Sequence, residues 1–154
     1  MAMLRPGDAA PAFSLTDQDG NTVDLSQFQG RKVLVYFYPK ADTPGCTKQA
    51  CQIEESRHEL AGLQLAAVGL SPDPPERQKK FAGKYNLAFP LLSDADHAVA
   101  EAYGAWGEKT MYGKTTQGII RSAFLVDEQG KILHTWYNIK PEDTVPQVKA
   151  ALGG

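Results

Sequence analysis

The 154-residue chain carries two cysteines, Cys46 and Cys51, inside the segment Pro39-Lys-Ala-Asp-Thr43-Pro44-Gly45-Cys46-Thr-Lys-Gln-Ala-Cys51. Thr43-Pro44 is a helix-start signal: a hydroxyl residue at the N-cap, then a proline where no amide donor is required. Cys46 then falls in the first helical turn. There, unpaired backbone amides and the positive end of the helix dipole favour thiolate over thiol. An ordinary cysteine, with a pKa of about 8.5, is only a few per cent ionised at neutral pH, and a helix start is one of the settings that lower it. Gly45 keeps a side chain away from the sulfur, which lets a substrate approach. A thiolate so placed is a nucleophile. The other reading of Cys46 is a packed core thiol, the usual fate of a free cysteine.

Cys51 follows five residues later. On an ideal helix that is a rise of about 7.5 Å and a turn of about 140°, so the two Cα atoms lie about 8.7 Å apart. A disulfide tolerates no more than about 7 Å. The pair therefore cannot bond while the helix is intact, and bonding requires the first turn and a half to unwind. Separate when reduced and joined when oxidised, the two would make a redox cycle with local unfolding; the alternative is two unrelated thiols. Cys-x4-Cys also falls within zinc-ligand spacing, but no second Cys or His pair completes four ligands. His58 lies about 18 Å beyond Cys46 along a continuous helix, too far to act as its base. His97 and His134 have no motif around them. Gly107-Glu-Lys-Thr-Met-Tyr-Gly113-Lys-Thr115 has one residue too many between its glycines for a phosphate-binding loop, and no clear strand precedes it.

The elements that must hold the cysteines are legible from pattern. Ala12–Thr16 and Thr22–Leu25 flank turn residues and read as a small hairpin. Lys32–Tyr38 is a nearly unbroken run of β-branched and aromatic residues, the mark of a central strand, with Tyr38 a candidate wall of the site. A helix from Pro44 to Leu60, a strand over Leu63–Leu70 and a polar helix ending near Tyr85 follow. Phe89–Leu92 reads as a short strand or loop and Asp96–Tyr103 as a helix closed by Gly104. Arg121–Val126 and Ile132–Tyr137 make a second hairpin before a helix over Glu142–Leu152. Strand–helix–strand crossovers imply parallel pairing and the terminal hairpin adds antiparallel strands. The expected architecture is α/β: a mixed β-sheet with helices on both faces, which suits a thioredoxin-like fold among other mixed α/β folds.

Composition bounds the rest. Hydrophobic residues make up 42% and charged residues 22% of the chain, ordinary globular proportions that exclude disordered and fibrous classes. A net charge of -2, with no long run of one sign, leaves no footprint for nucleic acid or an anionic membrane. The N-terminal residues lack the apolar core of a signal peptide and no stretch approaches a membrane span. The expectation is one cytoplasmic domain over residues 1–154.

Pro39-x-x-x-Thr43-x-x-Cys46 resembles the active-site pattern of the peroxiredoxins. The longer Tyr-Pro-Lys-x-x-Thr-Pro-Gly-Cys-Thr-x-x-x-Cys form is similar to the bacterioferritin comigratory protein, or peroxiredoxin Q, subfamily. Trp106-Gly-Glu-Lys, Gly118-Ile-Ile-Arg121 and Phe124-Leu-Val-Asp127 extend the resemblance along nearly the whole chain. It implies a thiol peroxidase acting on hydrogen peroxide and organic hydroperoxides and recycled by thioredoxin or a similar dithiol. Cys46 would be the peroxidatic cysteine and Cys51 the resolving one. Thr43 and Arg121 would complete the peroxide site and Pro39 would shield it. The resemblance implies no metal or organic cofactor and a monomer. Two other readings are a protein disulfide-exchange enzyme, against which the absence of Cys-x-x-Cys argues, and a non-enzymatic redox switch.

Overall fold

The computed structural model describes residues 3–153. Its elements, in order, are β1 (Ser14–Thr16), β2 (Thr22–Asp24), a 3-10 turn (Leu25–Phe28), β3 (Lys32–Phe37), α1 (Pro44–Glu55), α2 (Arg57–Gly62), β4 (Leu65–Ser71), α3 (Pro75–Tyr85) and β5 (Leu91–Ser93). They continue with α4 (Ala98–Ala102), β6 (Trp106–Met111), β7 (Lys114–Ile119), β8 (Ser122–Val126), β9 (Ile132–Trp136), a 3-10 turn (Pro141–Asp143) and α5 (Thr144–Ala151).

Seven strands form one mixed sheet in the order β2-β1-β5-β4-β3-β8-β9. β3, β4 and β5 are parallel, as their helical crossovers require, and β8 and β9 join antiparallel. β3 lies inside the sheet between β4 and β8, and every residue from Val33 to Phe37 is buried, which accounts for its continuous apolar run. Its side chains alternate between two cores. Leu34 and Tyr36 face Ala50 and Ile53 of α1, Phe81 of α3 and Val148 of α5. Val33, Val35 and Phe37 face Phe13, Phe28 and, on α4, Ala100. The mixed sheet covered on both faces matches the thioredoxin-like expectation.

Three expectations change. The helix read as Pro44–Leu60 is broken at Ser56, whose ψ of 1° departs from helical geometry, so α1 and α2 are separate. Serine holds a helix poorly, and Glu54 is engaged elsewhere, accepting the Ala88 amide at 2.7 Å. His58 therefore does not lie on a continuous helix with Cys46. The segment between Gly104 and Arg121, whose sequence carries no strand or helix pattern, is a two-stranded hairpin of β6 and β7. The last helix begins at Thr144, after a 3-10 turn.

One core contact matters later. A Cβ on Gly69 would sit 2.9 Å from the Tyr36 ring and hydroxyl. That buried hydroxyl has no hydrogen-bond partner among the described residues.

Candidate active site

The pairing of β3 with β8 assembles the site. Phe37, last in β3, pairs with Ser122, first in β8. The loop leaving β3 and the residue entering β8 therefore meet at one end of the sheet. That loop carries Pro39 and Thr43, α1 begins at once, and the β8 side supplies Arg121. The chain leaving β9 passes the same edge, where the Ile139 amide donates to the Arg121 carbonyl at 2.9 Å.

Thr43 is the N-cap residue of α1 and Pro44 follows at the first helical position, as the sequence implies. The hydroxyl, however, caps no amide. It donates to the Lys40 carbonyl at 2.7 Å, so its oxygen is left to accept. The Thr47 amide takes the Thr43 carbonyl at 2.8 Å, which leaves the Gly45 and Cys46 amides without intrahelical partners.

Cys46 is buried, with 1% of its surface exposed, and its Sγ accepts from Arg121 Nη2 at 3.3 Å. The other arm, Nη1, donates to Gln49 Oε1 at 2.8 Å. Gln49 Nε2 in turn donates to Thr144 Oγ1 at 2.8 Å. A Cβ on Gly45 would lie 3.2 Å from Arg121 Nη2 and 3.3 Å from Pro141 Cγ. The space the sequence reading reserved for substrate at Gly45 is thus occupied by the guanidinium and Pro141.

The loop before α1 is held from β4 and α3. Buried Asp73 accepts from the Ala41 amide and the Ser71 hydroxyl, each at 2.7 Å, and pairs with Arg77 Nε at 3.0 Å. Asp42, in the left-handed backbone region at φ 61°, is fixed by Tyr85 Oη at 2.8 Å and Lys84 Nζ at 3.0 Å. The Tyr85 hydroxyl and the Lys84 ammonium hold the Asp42 carboxyl below its ordinary range. Tyr38 belongs to the buried cluster that also holds Cys46. It is buried, its hydroxyl donates to Gln78, and burial pushes that hydroxyl well above its usual range.

Cys51, partly buried, is a free thiol on the same helix as Cys46. Burial, then the nearby charges of Glu55 and Glu54, pushes its thiol above the ordinary value. A groove of about 720 Å³ opens beside Arg121, lined by Pro39, Lys109, Ile120, Ile139 and Pro141 among others. Burial and the Arg121 charge hold the Lys109 ammonium below its ordinary range, while Cys46 acts in the opposite sense. The histidines stay apart: His97 stacks on Trp106 at 3.7 Å between ring centroids, His134 stacks on Trp136, and His58 is exposed. Cys46, Thr43, Arg121 and Pro39 are thus brought together. Gln49, Thr144, Asp73 and Lys109 join them without having been singled out from sequence.

A buried thiol at a helix start, paired with an arginine just before β8, finds its match among known proteins. The model of the AhpC/TSA family matches residues 6–135. The chain belongs to the AhpC/TSA family. Among relatives of this peroxiredoxin, Peroxiredoxin Bcp of Escherichia coli is 53% identical over 140 residues, 91% of this chain and 90% of that protein. A putative peroxiredoxin of Mycobacterium tuberculosis is 53% identical over 149 residues, 97% of this chain and 95% of the relative. A solved structure of the bacterioferritin comigratory protein of Xanthomonas campestris, concerned with its alkyl peroxide reduction activity, superposes with a TM-score of 0.86 at 33% identity. It covers 92% of this chain and 90% of its own. The peroxiredoxin is a peroxidase of the Bcp/peroxiredoxin Q kind with a thioredoxin-like fold. Among its described residues no helix is long and apolar enough to cross a membrane.

Proposed function

We propose that the protein reduces hydrogen peroxide and organic hydroperoxides through Cys46, with Cys51 resolving the product. One observation carries this reading: Cys46 Sγ is buried at the first turn of α1 and 3.3 Å from Arg121 Nη2. The Cys46 thiolate attacks one peroxide oxygen, forming an S–O bond as the O–O bond breaks. The leaving oxygen departs as water or an alcohol after taking up a proton. Charge moves from sulfur to the leaving oxygen, and the Arg121 guanidinium with the unpaired Gly45 and Cys46 amides stabilises both ends. Thr43 Oγ1, its proton committed to Lys40, accepts from the peroxide O–H. Pro39, on the groove wall, limits water at the sulfur. The groove beside Arg121, apolar at Ile120 and Ile139, leaves room for the organic group of a hydroperoxide.

Cys46 is left as a sulfenic acid, which condenses with the Cys51 thiol to give a disulfide and water. The two residues share an intact helix, so residues 44–51 must unwind first. A thioredoxin-type dithiol then reduces the disulfide. The enzyme works as a cytoplasmic monomer, one domain over residues 1–154, with no metal or organic cofactor. The test is a coupled assay with peroxide and a thioredoxin system. Cys46→Ser abolishes turnover, and one equivalent of peroxide removes both thiols with a mass change of two hydrogens only. Turnover surviving in Cys46→Ser overturns the reading.

A further inference from the structure

Gln49 lies between the two cysteines on α1 and is completely buried, yet both ends of its amide are bonded to residues from elsewhere in the chain. An arginine can only donate, so Oε1 must face Arg121 Nη1, at 2.8 Å, and Nε2 must face Thr144 Oγ1, at 2.8 Å. Thr144, also completely buried, donates its own proton to the Lys140 carbonyl at 3.3 Å. The direction of every bond from Lys140 to the Cys46 sulfur is thereby fixed. Pro141, from the same C-terminal segment, rests against Gly45 one turn earlier. Residues 140–144 therefore grip α1 at two points inside the stretch that unwinds.

We infer that Thr144 is a positioning residue that latches α1 closed through Gln49. It sets both the aim of Arg121 at Cys46 and the ease with which residues 44–51 open after oxidation. The inference rests on the Cys46–Cys51 reading above. The sulfenic acid has two fates: condensation with Cys51, which needs the latch released, or a second peroxide, which oxidises it to a sulfinic acid and is itself reduced to water or alcohol. Removing the Thr144 hydroxyl strands the Gln49 amide in the closed state, whereas water satisfies it in the open one.

Thr144→Val keeps the shape and loses the acceptor; Thr144→Ser keeps the acceptor. Amide exchange on the reduced protein, with no peroxide present, is expected to run about 5–30-fold faster over residues 44–51 in Thr144→Val while α3 is unchanged. The same variant tolerates higher peroxide doses before sulfinic acid appears by mass, reacts several-fold more slowly in the first step, and Thr144→Ser restores all three. Thr144→Ala serves if valine is not accommodated. Exchange that is unchanged, or faster across the whole chain, overturns the latch. If wild-type protein never forms the Cys46–Cys51 disulfide, the peroxidase reading fails at Cys51, and the exchange measurement still decides the latch.

Discussion

Replacing Arg121 by lysine keeps the charge but loses the fork, one arm of which holds the Cys46 sulfur and the other Gln49. A lysine cannot serve both at fixed geometry. Arg121→Lys is expected to lower the second-order rate with peroxide by about a hundredfold, measured by stopped flow. Cys51 gives a pH signature. Its thiol is raised by burial and by Glu55 and Glu54, so at neutral pH it is more fully protonated than an ordinary cysteine. In the reduced protein, where α1 is intact, alkylation of Cys51 by iodoacetamide should therefore still be speeding up above the ordinary thiol range of about 8.5, and Glu55→Gln should move that rise to lower pH. Profiles identical in both proteins would mean that Glu55 does not act on the Cys51 thiol. At this scale the residues proposed to react stand out in the sequence because Thr-Pro-Gly-Cys is a local signal. Gln49 and Thr144 do not: they meet across 95 positions, and neither residue type marks itself by period or motif. Gly45 makes room for Arg121 and Pro141 and not, as its place before Cys46 suggests, for substrate.

Among the elements, β3 and β4 announced themselves by apolar runs, and their packing explains Gly69. A Cβ there would lie 2.9 Å from Tyr36, so Gly69→Ala should destabilise the fold by about 1–3 kcal/mol, read by urea unfolding. Tyr36→Phe removes a buried hydroxyl without a partner and should leave stability unchanged or raised. Loss of stability in Tyr36→Phe would mean that the hydroxyl is bonded. The β6–β7 hairpin escaped the sequence reading for a physical reason. It forms its own two-stranded sheet outside the main one, and Lys114–Gln117 are exposed on both faces. Strands with no buried face carry no apolar alternation. The break at Ser56 was equally silent, because a relaxed ψ at one residue leaves the apolar spacing of its neighbours intact.

For the molecule as a whole, the site is divided between two supports. The Pro39–Thr43 loop is tied to α3 and β4 through Asp73, Arg77, Lys84 and Tyr85, while α1 is gripped by residues 140–144. Oxidation should therefore melt α1 selectively. Far-UV circular dichroism is expected to lose the signal of about two helical turns, and exchange protection should vanish over residues 44–51 while residues 75–85 keep theirs. Full protection of residues 44–51 in the disulfide form would refute the unwinding mechanism. Sedimentation should give a single species of 16.8 kDa in both redox states.

The tie between Asp73 and the Ala41 amide has a consequence for timing. If the loop stays docked while the helix beyond it lets go, as the proposed cycle requires, each turnover should reset from a preformed end and need no fresh nucleus, the slow part of making a helix. Helix relaxation takes about 0.1–1 µs even for a free peptide of some twenty residues. A reductant at about 1 µM, binding at about 10⁵–10⁷ M⁻¹s⁻¹, arrives only every 0.1–10 s. With peroxide in excess, throughput should therefore follow the supply of reduced dithiol, and refolding of the helix should set no ceiling even at millimolar dithiol, where arrivals at about 10²–10⁴ s⁻¹ are still slower than helix relaxation.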